Sequence, residues 1–259
     1  MQIPAEQVRP QLRALFDPGL PASLRCLAVL DGHAAGKILT DNPARPTWGV
    51  VQEACFRSIY LGGALEAPIL HQLVSELRQD GDVLIGLWPG DERLDVLPPR
   101  PDYEGVTLEF TDRPSGTGLA DYLRQVPEGC AVRRLDRQLF ERCLERDINV
   151  AIFGSAEKAL EEGFGLCLMR GEEILSEAFA GPAAMGIIEL GTATSKRYRG
   201  RGYATIICAH LIQACEDLGY QTYWNCAQQN LASVAVARKL GYRKEKEYRL
   251  LAWFQTGRP

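Results

Sequence analysis

Between residues 187 and 219 the chain runs from an apolar, strand-like stretch, IIELGTAT, through SKRYRGRG into YATIICAHLIQACEDLG. Lys196, Arg197, Arg199 and Arg201 crowd around Gly200 and Gly202, and an apolar helical pattern begins at once. Like charges held this close repel one another, so the segment calls for an anion. A helix N-terminus answers that call from the backbone, because its first N–H groups are unpaired and carry a partial positive charge. Glycine lets those amides approach a phosphate oxygen, and arginine adds planar donors matched to it. The segment reads as a phosphate cradle sized for a pyrophosphate; the competing reading is a solvated basic loop that only caps a helix.

The rest of the composition makes the basic cluster a local feature. The chain has 259 residues, 24% of them charged, with a net charge of -4. A mildly acidic whole argues against a dedicated nucleic-acid binder. No apolar run approaches the ~20 residues that cross a bilayer, so no membrane partner is expected. The start, MQIPAEQVRPQLRALF, lacks a basic segment followed by an apolar one, which predicts a cytoplasmic protein. Eight cysteines occur without a C-x-x-C pair, and there are three histidines, His33, His71 and His210. That spacing predicts no metal site and reduced, structural thiols. His210, seven residues into the helix, reads as a packing residue.

Three phosphate ligands compete for the cradle. The pattern G-x-x-x-x-G-K-[ST] is absent. The dinucleotide pattern G-x-G-x-x-G has Thr205 at its third glycine, and the next strand ends in Trp224, Asn225 and Cys226 where an acidic residue belongs. Coenzyme A remains.

Along the chain, residues 5 to 16 read as a short helix carrying Val8, Leu12 and Leu15. CLAVLDG and AGKILTD read as a hairpin, WGVVQEACFRSIYLGG as more strand, APILHQLVSELRQDG as a helix and DVLIGLW as a buried strand. Proline and glycine then accumulate through LPPRPD and DRPSGTG, with VTLEF between them. This places a boundary near 114 to 128, separating an N-terminal subdomain, 1–118, from a second domain, 128–259. In the second part GCAVRRLD reads as a strand, RQLFERCLERD as one helix, and FGLCLMR-GEE-ILSEAFAG as a hairpin. The helix after the basic loop carries Ile207, Leu211, Ala214, Cys215 and Leu218 on one face, and Gly219 ends it. QTYWNCA is a strand, Asn230 caps a second helix that stops at Gly241, and YRKEKEYRLLAWF closes the chain. No internal repeat is visible. The class is α/β (α+β).

Arg199-Gly200-Arg201-Gly202-Tyr203-Ala204 matches the R/Q-x-x-G-x-G/A motif, and it sits in the order strand, loop, helix, strand, Asn230, helix, L-G-Y at 240–242. From about 128 to 254 the chain thereby resembles the GNAT superfamily of N-acetyltransferases. The whole chain also resembles the group of GNAT proteins that includes zwittermicin A resistance acetyltransferases. That finer resemblance rests on Gly36-Lys37-Ile38-Leu39-Thr40-Asp41-Asn42-Pro43, one residue shorter than the group's pattern, and on WNC at 224–226.

The resemblance implies a mixed, mostly antiparallel sheet flanked by helices, with acetyl-CoA as cofactor. It implies that Thr192, Ala193 and Thr194 meet the pantetheine arm, and that the amides from Gly200 through Arg201, Gly202, Tyr203 and Ala204 to Thr205 hold the pyrophosphate. Arg199 and Arg201 would lie beside the phosphates; Asn230 and Ser233 would contact the cofactor, Asn230 while capping its helix. An amine would attack the thioester directly. Glu189, sharing a strand face with Ile187 and Gly191, is the first candidate for its base, against an equally weighted role as the partner of a nearby arginine. Glu177 is the second candidate. A tyrosine common in the family as the thiolate's acid aligns with Ala237, so that acid is missing or supplied by Tyr242, Tyr223, Cys226 or Ser233.

The expected acceptor is a small-molecule amine, on a monomer or homodimer. A non-catalytic acyl-CoA-binding regulator and an acetyltransferase of protein N-termini or lysines stay open as alternatives.

Overall fold

The computed structural model describes residues 1–114 and 118–257. Backbone contacts group them into two units, Met1–Leu108 with Glu247–Pro259, and Glu109–Lys246. The Pro/Gly-rich stretch places the expected boundary near 114 to 128, part of which (115–117) lies outside the described residues. The last residues join the first unit because their strand pairs with strand 83–87.

The first unit opens with β1 (Gln2–Ile3), α1 (Pro10–Arg13) and α2 (Ser23–Leu30). It continues with β2 (Gly36–Thr40), β3 (Trp48–Glu53), β4 (Ser58–Gly63), α3 (Ala67–Asp80) and β5 (Val83–Leu87). Strand β6 (Tyr103–Asp112) carries the chain out of it. The second unit adds α4 (Ala120–Leu123), β7 (Ala131–Arg134), α5 (Arg137–Phe140), α6 (Arg146–Phe153) and α7 (Ala156–Glu161). Then come β8 (Phe164–Arg170), β9 (Glu173–Ala184), β10 (Ile187–Thr194), α8 (Tyr203–Asp217), β11 (Gln221–Ala227) and α9 (Leu231–Lys239). Strand β12 (Lys244–Trp253) returns the chain to the first unit.

CLAVL is helix, not the first arm of a hairpin. Leu24, Cys26, Leu27, Ala28, Val29 and Leu30 are all buried, so α2 is covered almost all round and shows neither a clean 3.6 nor a clean 2.0 period. RQLFERCLERD likewise breaks into α5 and α6. The Asp136 carboxylate caps α5 through the Leu139 amide at 2.8 Å, but α5 ends at Phe140. Of the expected pattern Ile207, Leu211 and Cys215 are buried and Ala214 is half-buried, whereas Leu218 lies past the last turn of α8 and is exposed.

Each unit repeats one wiring that the amino-acid sequence does not display. In the first, β2, β3 and β4 pair antiparallel, α3 crosses over, and β5 lies parallel to β4. In the second, β8, β9 and β10 pair antiparallel, α8 crosses over, and β11 lies parallel to β10. Parallel neighbours need such a crossover, and a helix is the usual one. Strand order is β1-β2-β3-β4-β5-β12 in the first unit and β6-β11-β10-β9-β8-β7 in the second. The first unit's core gathers Val50, Ile59, Leu61, Leu70, Val74, Ile85 and Trp253. In the second, α8 buries Ile206, Ile207, Leu211 and Ile212, each worth roughly 1.5–3 kcal/mol when removed from water.

The segment G-K-I-L-T-D-N-P builds the turn from β2 to β3. The Asp41 carboxylate accepts from Thr47 Oγ1 at 2.7 Å and from the Thr47 amide at 3.0 Å. Asn42 Oδ1 accepts from the amides of Ala44 and Arg45 at 2.9 and 3.2 Å. Both side chains act as backbone-mimicking turn residues.

Candidate active site

The parallel pairing of β10 with β11 covers Ile187↔Gln221, Ile188↔Thr222 and Glu189↔Tyr223, and ends there. From Leu190 onward the two strands diverge, and among the described residues no ladder pair joins them on that side. A β-bulge falls at the same level: the register with β9 shifts between Ile188↔Ala183 and Leu190↔Ala180, so Gly181 and Pro182 stand opposite Glu189. Bulges bend a strand and re-aim its side chains, and Pro182 has no N–H to give the ladder.

The loop after β10 has the form a phosphate needs. Gly200 and Gly202 adopt φ of +77° and +81°, a region that favours glycine. A Cβ placed on either would meet no atom within 4 Å, so the space before α8 is open. Gly202 is the N-cap of α8, no side chain caps the helix, and its first turn holds no acidic residue. Its leading amides therefore face outward with the positive end of the dipole.

Part of the basic cluster is neutralised from within. Arg197 is ion-paired with Glu173, and Tyr198 Oη donates to the same carboxylate at 2.5 Å. The Arg197 and Arg201 guanidiniums lie 5.0 and 5.5 Å from the Tyr198 ring centre. Arg199 Nε donates to the Thr194 carbonyl at 3.2 Å, tying the loop to the end of β10. Tyr203 and Thr205 are buried in the first turn of α8, while Ala204 is half-buried.

The β10 threonines are engaged by their side chains. Thr192 Oγ1 donates to the Glu177 carbonyl at 2.8 Å, and Thr194 Oγ1 lies 2.8 Å from Ser176 Oγ. Ala193, between them, pairs with Glu177 on β9. Asn230 Oδ1 accepts from the Ser233 amide at 3.2 Å, the N-cap contact. Ser233 Oγ accepts from Trp224 Nε1 at 3.0 Å.

The two carboxylates named from the sequence differ in setting. Glu189 is half-buried beside the diverging strands, on the face carrying Gly191 and Ala193. Glu177 is buried, and its oxygens accept from the Leu144 and Glu145 amides at 2.9 and 2.7 Å, fixing the entry to α6. Burial pushes its carboxyl above the usual range, with those amides opposing the shift. Cys143 and Cys167 stand beside it, Sγ to Sγ 3.9 Å, and the three donors lie within 4.8 Å of one another. The Cys143 thiol donates to the Leu139 carbonyl at 3.5 Å, a neutral-thiol arrangement.

Ala237, at the family's tyrosine position, is fully buried. Among the substitutes, Tyr242 Oη donates to Thr222 Oγ1 at 2.7 Å inside the core. Tyr223 Oη donates to Glu109 Oε1 at 2.6 Å and accepts from Asn225 Nδ2 at 3.0 Å. Burial, then the charges of Glu109 and Glu189, hold the Tyr223 hydroxyl well above its ordinary value, so it keeps its proton. Burial also raises the Cys226 thiol. Glu109 has no motif around it; V-T-L-E-F reads as an ordinary strand, and only the fold brings that carboxylate beside β11.

The first unit holds a matching pair of strands without a matching loop. Pairing of β4 with β5 covers Ser58↔Leu84 and Ile59↔Ile85. Beyond it, Arg93 Nη1 donates to the Leu61 carbonyl at 3.2 Å. The Cβ positions of Gly62 and Gly63 are crowded, meeting backbone oxygens at 2.9 and 2.3 Å. No helix among the described residues is long and apolar enough to cross a membrane.

Diverging parallel strands beside an open, glycine-built helix N-terminus characterise a GNAT-type fold. The family model for GNAT acetyltransferase matches residues 22–251, and the chain belongs to that family. A curated relative, the uncharacterized N-acetyltransferase YdfB of Bacillus subtilis (strain 168), is 27% identical over 128 residues. That similarity spans about half of each protein, 48% of this chain and 48% of the relative. A solved GCN5-related N-acetyltransferase-like protein from Streptococcus suis 89/1591 superposes with a TM-score of 0.73 at 24% identity, covering 97% of this chain and 100% of that one. A tandem GNAT protein from the clavulanic acid biosynthesis pathway, solved without AcCoA, superposes with a TM-score of 0.57 at 10% identity, covering 98% and 94%.

Proposed function

We propose that this chain moves an acetyl group from acetyl-CoA to an amine of a small molecule. The observation that carries the reading is the joint placement of the β10–β11 divergence and the open Gly200–Gly202 turn at the start of α8. The residues fit the cofactor: amides from Gly200 to Thr205 and the Arg199 and Arg201 side chains would take the pyrophosphate, and the backbone of Thr192, Ala193 and Thr194 the pantetheine arm. Ser233 and Asn230 stand at the start of α9 to flank it. Acetyl-CoA, when bound, supplies the thioester carbonyl.

This chain's own part is positioning and one proton transfer. Glu189 takes the proton from the attacking nitrogen, directly or through water. Glu177, held by two amides, serves the fold of the α6 entry and is a weaker base candidate. With Ala237 in place of tyrosine, no dedicated acid is assigned to the departing thiolate.

The turn built by Asp41 and Asn42, with Trp224, Asn225 and Cys226, supports placing the chain in the zwittermicin A resistance-type group, hence an amino-bearing antibiotic or metabolite as acceptor. We place it in the cytoplasm, as a monomer or homodimer; its cysteines are all free thiols.

The test is acetyl-CoA binding together with thiol release across an amine panel, for the wild type and Gly202→Glu. Adding a side chain and a negative charge at the helix N-terminus should weaken binding by about 30-fold, the factor that about 2 kcal/mol gives. Unchanged binding would remove the cradle assignment. Binding without turnover of any amine would instead favour the regulator reading that Ala237 suggests, and turnover of peptides alone would favour a protein acceptor.

A further inference from the structure

We propose that Cys143, Cys167 and Glu177 form a binding site for one borderline-soft divalent cation of the Zn²⁺ type, and that the bound ion pins the α5–α6 junction onto β8 and β9. The inference is independent of the acetyl-transfer reading above. Cys167 and Glu177 are direct cross-strand partners on β8 and β9. Facing residues of an antiparallel pair project to the same side of the sheet. Cys143, in the turn between α5 and α6, lies against them. The two sulfurs stand 3.9 Å apart, and the three donor atoms lie within 4.8 Å of one another. At a zinc–sulfur length of about 2.3 Å, two thiolates on a tetrahedral ion stand about 3.8 Å apart. The sulfur pair is thus already at coordination distance. A disulfide would need the same sulfurs to close to about 2.05 Å.

The surroundings suit an ion. The Leu144 and Glu145 amides each donate to one Glu177 oxygen, at 2.9 and 2.7 Å, and a carboxylate offers about four lone pairs, so capacity remains for a metal. The Cys143 thiol is within hydrogen-bonding reach of that carboxylate, so an ion replacing its proton would lie between the same two groups. Metal-binding carboxylates are themselves held by hydrogen bonds, inside an apolar shell. Leu139, Met169 and Ile174 supply that shell here. Cys167 and Glu177 are buried, while half-buried Cys143 leaves a route from solvent. Two sulfurs and one carboxylate disfavour Ca²⁺ and Mg²⁺, which take oxygen ligands, and suit Zn²⁺. Three protein ligands leave a fourth position for water. On binding, two Zn–S bonds form, two S–H bonds break, and two protons pass to the buffer; Glu177 releases a third where it is protonated. The ligands come from a turn and two strands, which is why no C-x-x-C spacing marks them.

The experiment uses the full chain, reduced with a phosphine and freed of metal by a chelator that is then removed. Titration with Zn²⁺ against a chromophoric chelator should give one ion per chain with a Kd below about 1 μM. Cys143→Ser should raise that Kd by about 100-fold or more, and Glu177→Gln by about 10-fold or more. Cys130→Ser, which changes a half-buried thiol elsewhere, should leave it unchanged. Co²⁺ should give a thiolate-to-metal charge-transfer band in the near ultraviolet that Cys143→Ser weakens. Zn²⁺ in excess should raise the Tm of the wild type and not that of Cys143→Ser, because the site exists only in the folded chain. Cys143→Ala supplies the same comparisons should the serine variant fail to fold. A Kd weaker than about 1 μM, a Kd unmoved by Cys143→Ser, or a Co²⁺ spectrum without the charge-transfer band overturns the site. So does absent zinc binding with ready formation of a Cys143–Cys167 disulfide by hydrogen peroxide, which would make the pair a redox couple. None of these results bears on acetyl transfer, which thiol release reads separately.

Discussion

Glu189 and Tyr223 face each other across β10 and β11 as the final pair joined before those strands separate. A carboxylate and a protonated phenol thus share one strand face where the ladder between the two strands ends. Replacing Glu189 by Gln should lower kcat by about 10²- to 10⁴-fold while leaving acetyl-CoA affinity unchanged. Steady-state kinetics beside calorimetric titration separates the two; a parallel loss of affinity would return Glu189 to the role of an arginine's partner.

Acetyl-CoA should bind with a stoichiometry of one per chain, although the wiring occurs twice. In the first unit Arg93 takes the Leu61 carbonyl, and the glycines after β4 are crowded. Titration calorimetry giving two equivalent sites would contradict this.

Leu211→Ala should destabilise the protein by about 2–5 kcal/mol, since Leu211 is fully buried on α8 and the cavity adds to the lost transfer energy. Urea unfolding of the second unit's transition reads this directly, and a shift under 1 kcal/mol would mean α8 repacks.

Asp41 supplies a pH-dependent contribution to stability. Desolvation raises its carboxyl, but hydrogen bonds from Thr47, Asn42 and Trp48 outweigh that and bring it down to about 2. A depressed folded pKa stabilises above the unfolded value of about 3.9 and loses that stabilisation as pH falls through the folded one. The Tm difference between wild type and Asp41→Asn should therefore be largest at pH 5 or above and shrink from about pH 4 to about pH 2. A constant difference would exclude the turn hydrogen bonds as its source.

Glu177 has the opposite sign. Its folded pKa is raised, chiefly by burial, so its contribution is fully present below about pH 4.3 and is lost as pH rises through the folded value. Thermal melts of wild type against Glu177→Gln should show the wild type's relative stability falling with rising pH across that interval. A rising difference would mean that the Leu144 and Glu145 amides dominate.

Local chemistry made much of this legible. Gly200, Gly202 and the four basic residues announced an anion site because glycine conformation and helix-end charge are written in a few adjacent residues. Gly219 and Gly241 marked helix ends for the same reason, with φ of +85° and +92°. Asn230 declared its cap. Burial on every side hid α2, since a helix covered all round has no exposed face to set a period. Glu109 was hidden more deeply: it stands 114 residues from Tyr223, and no local pattern encodes a contact made only by strand order. The duplicated wiring was invisible for a related reason, because strand pairing conserves connectivity without requiring similar side chains.

The return of β12 to β5 has a consequence for how the chain is made. Residues Glu109–Lys246 emerge complete before Glu247–Pro259 leave the ribosome, so the unit begun first is finished last. Until then β5 waits with an exposed edge, the kind of surface that invites wrong pairing. Synthesis of β12, and not of the first hundred residues, permits the final closure of the N-terminal sheet.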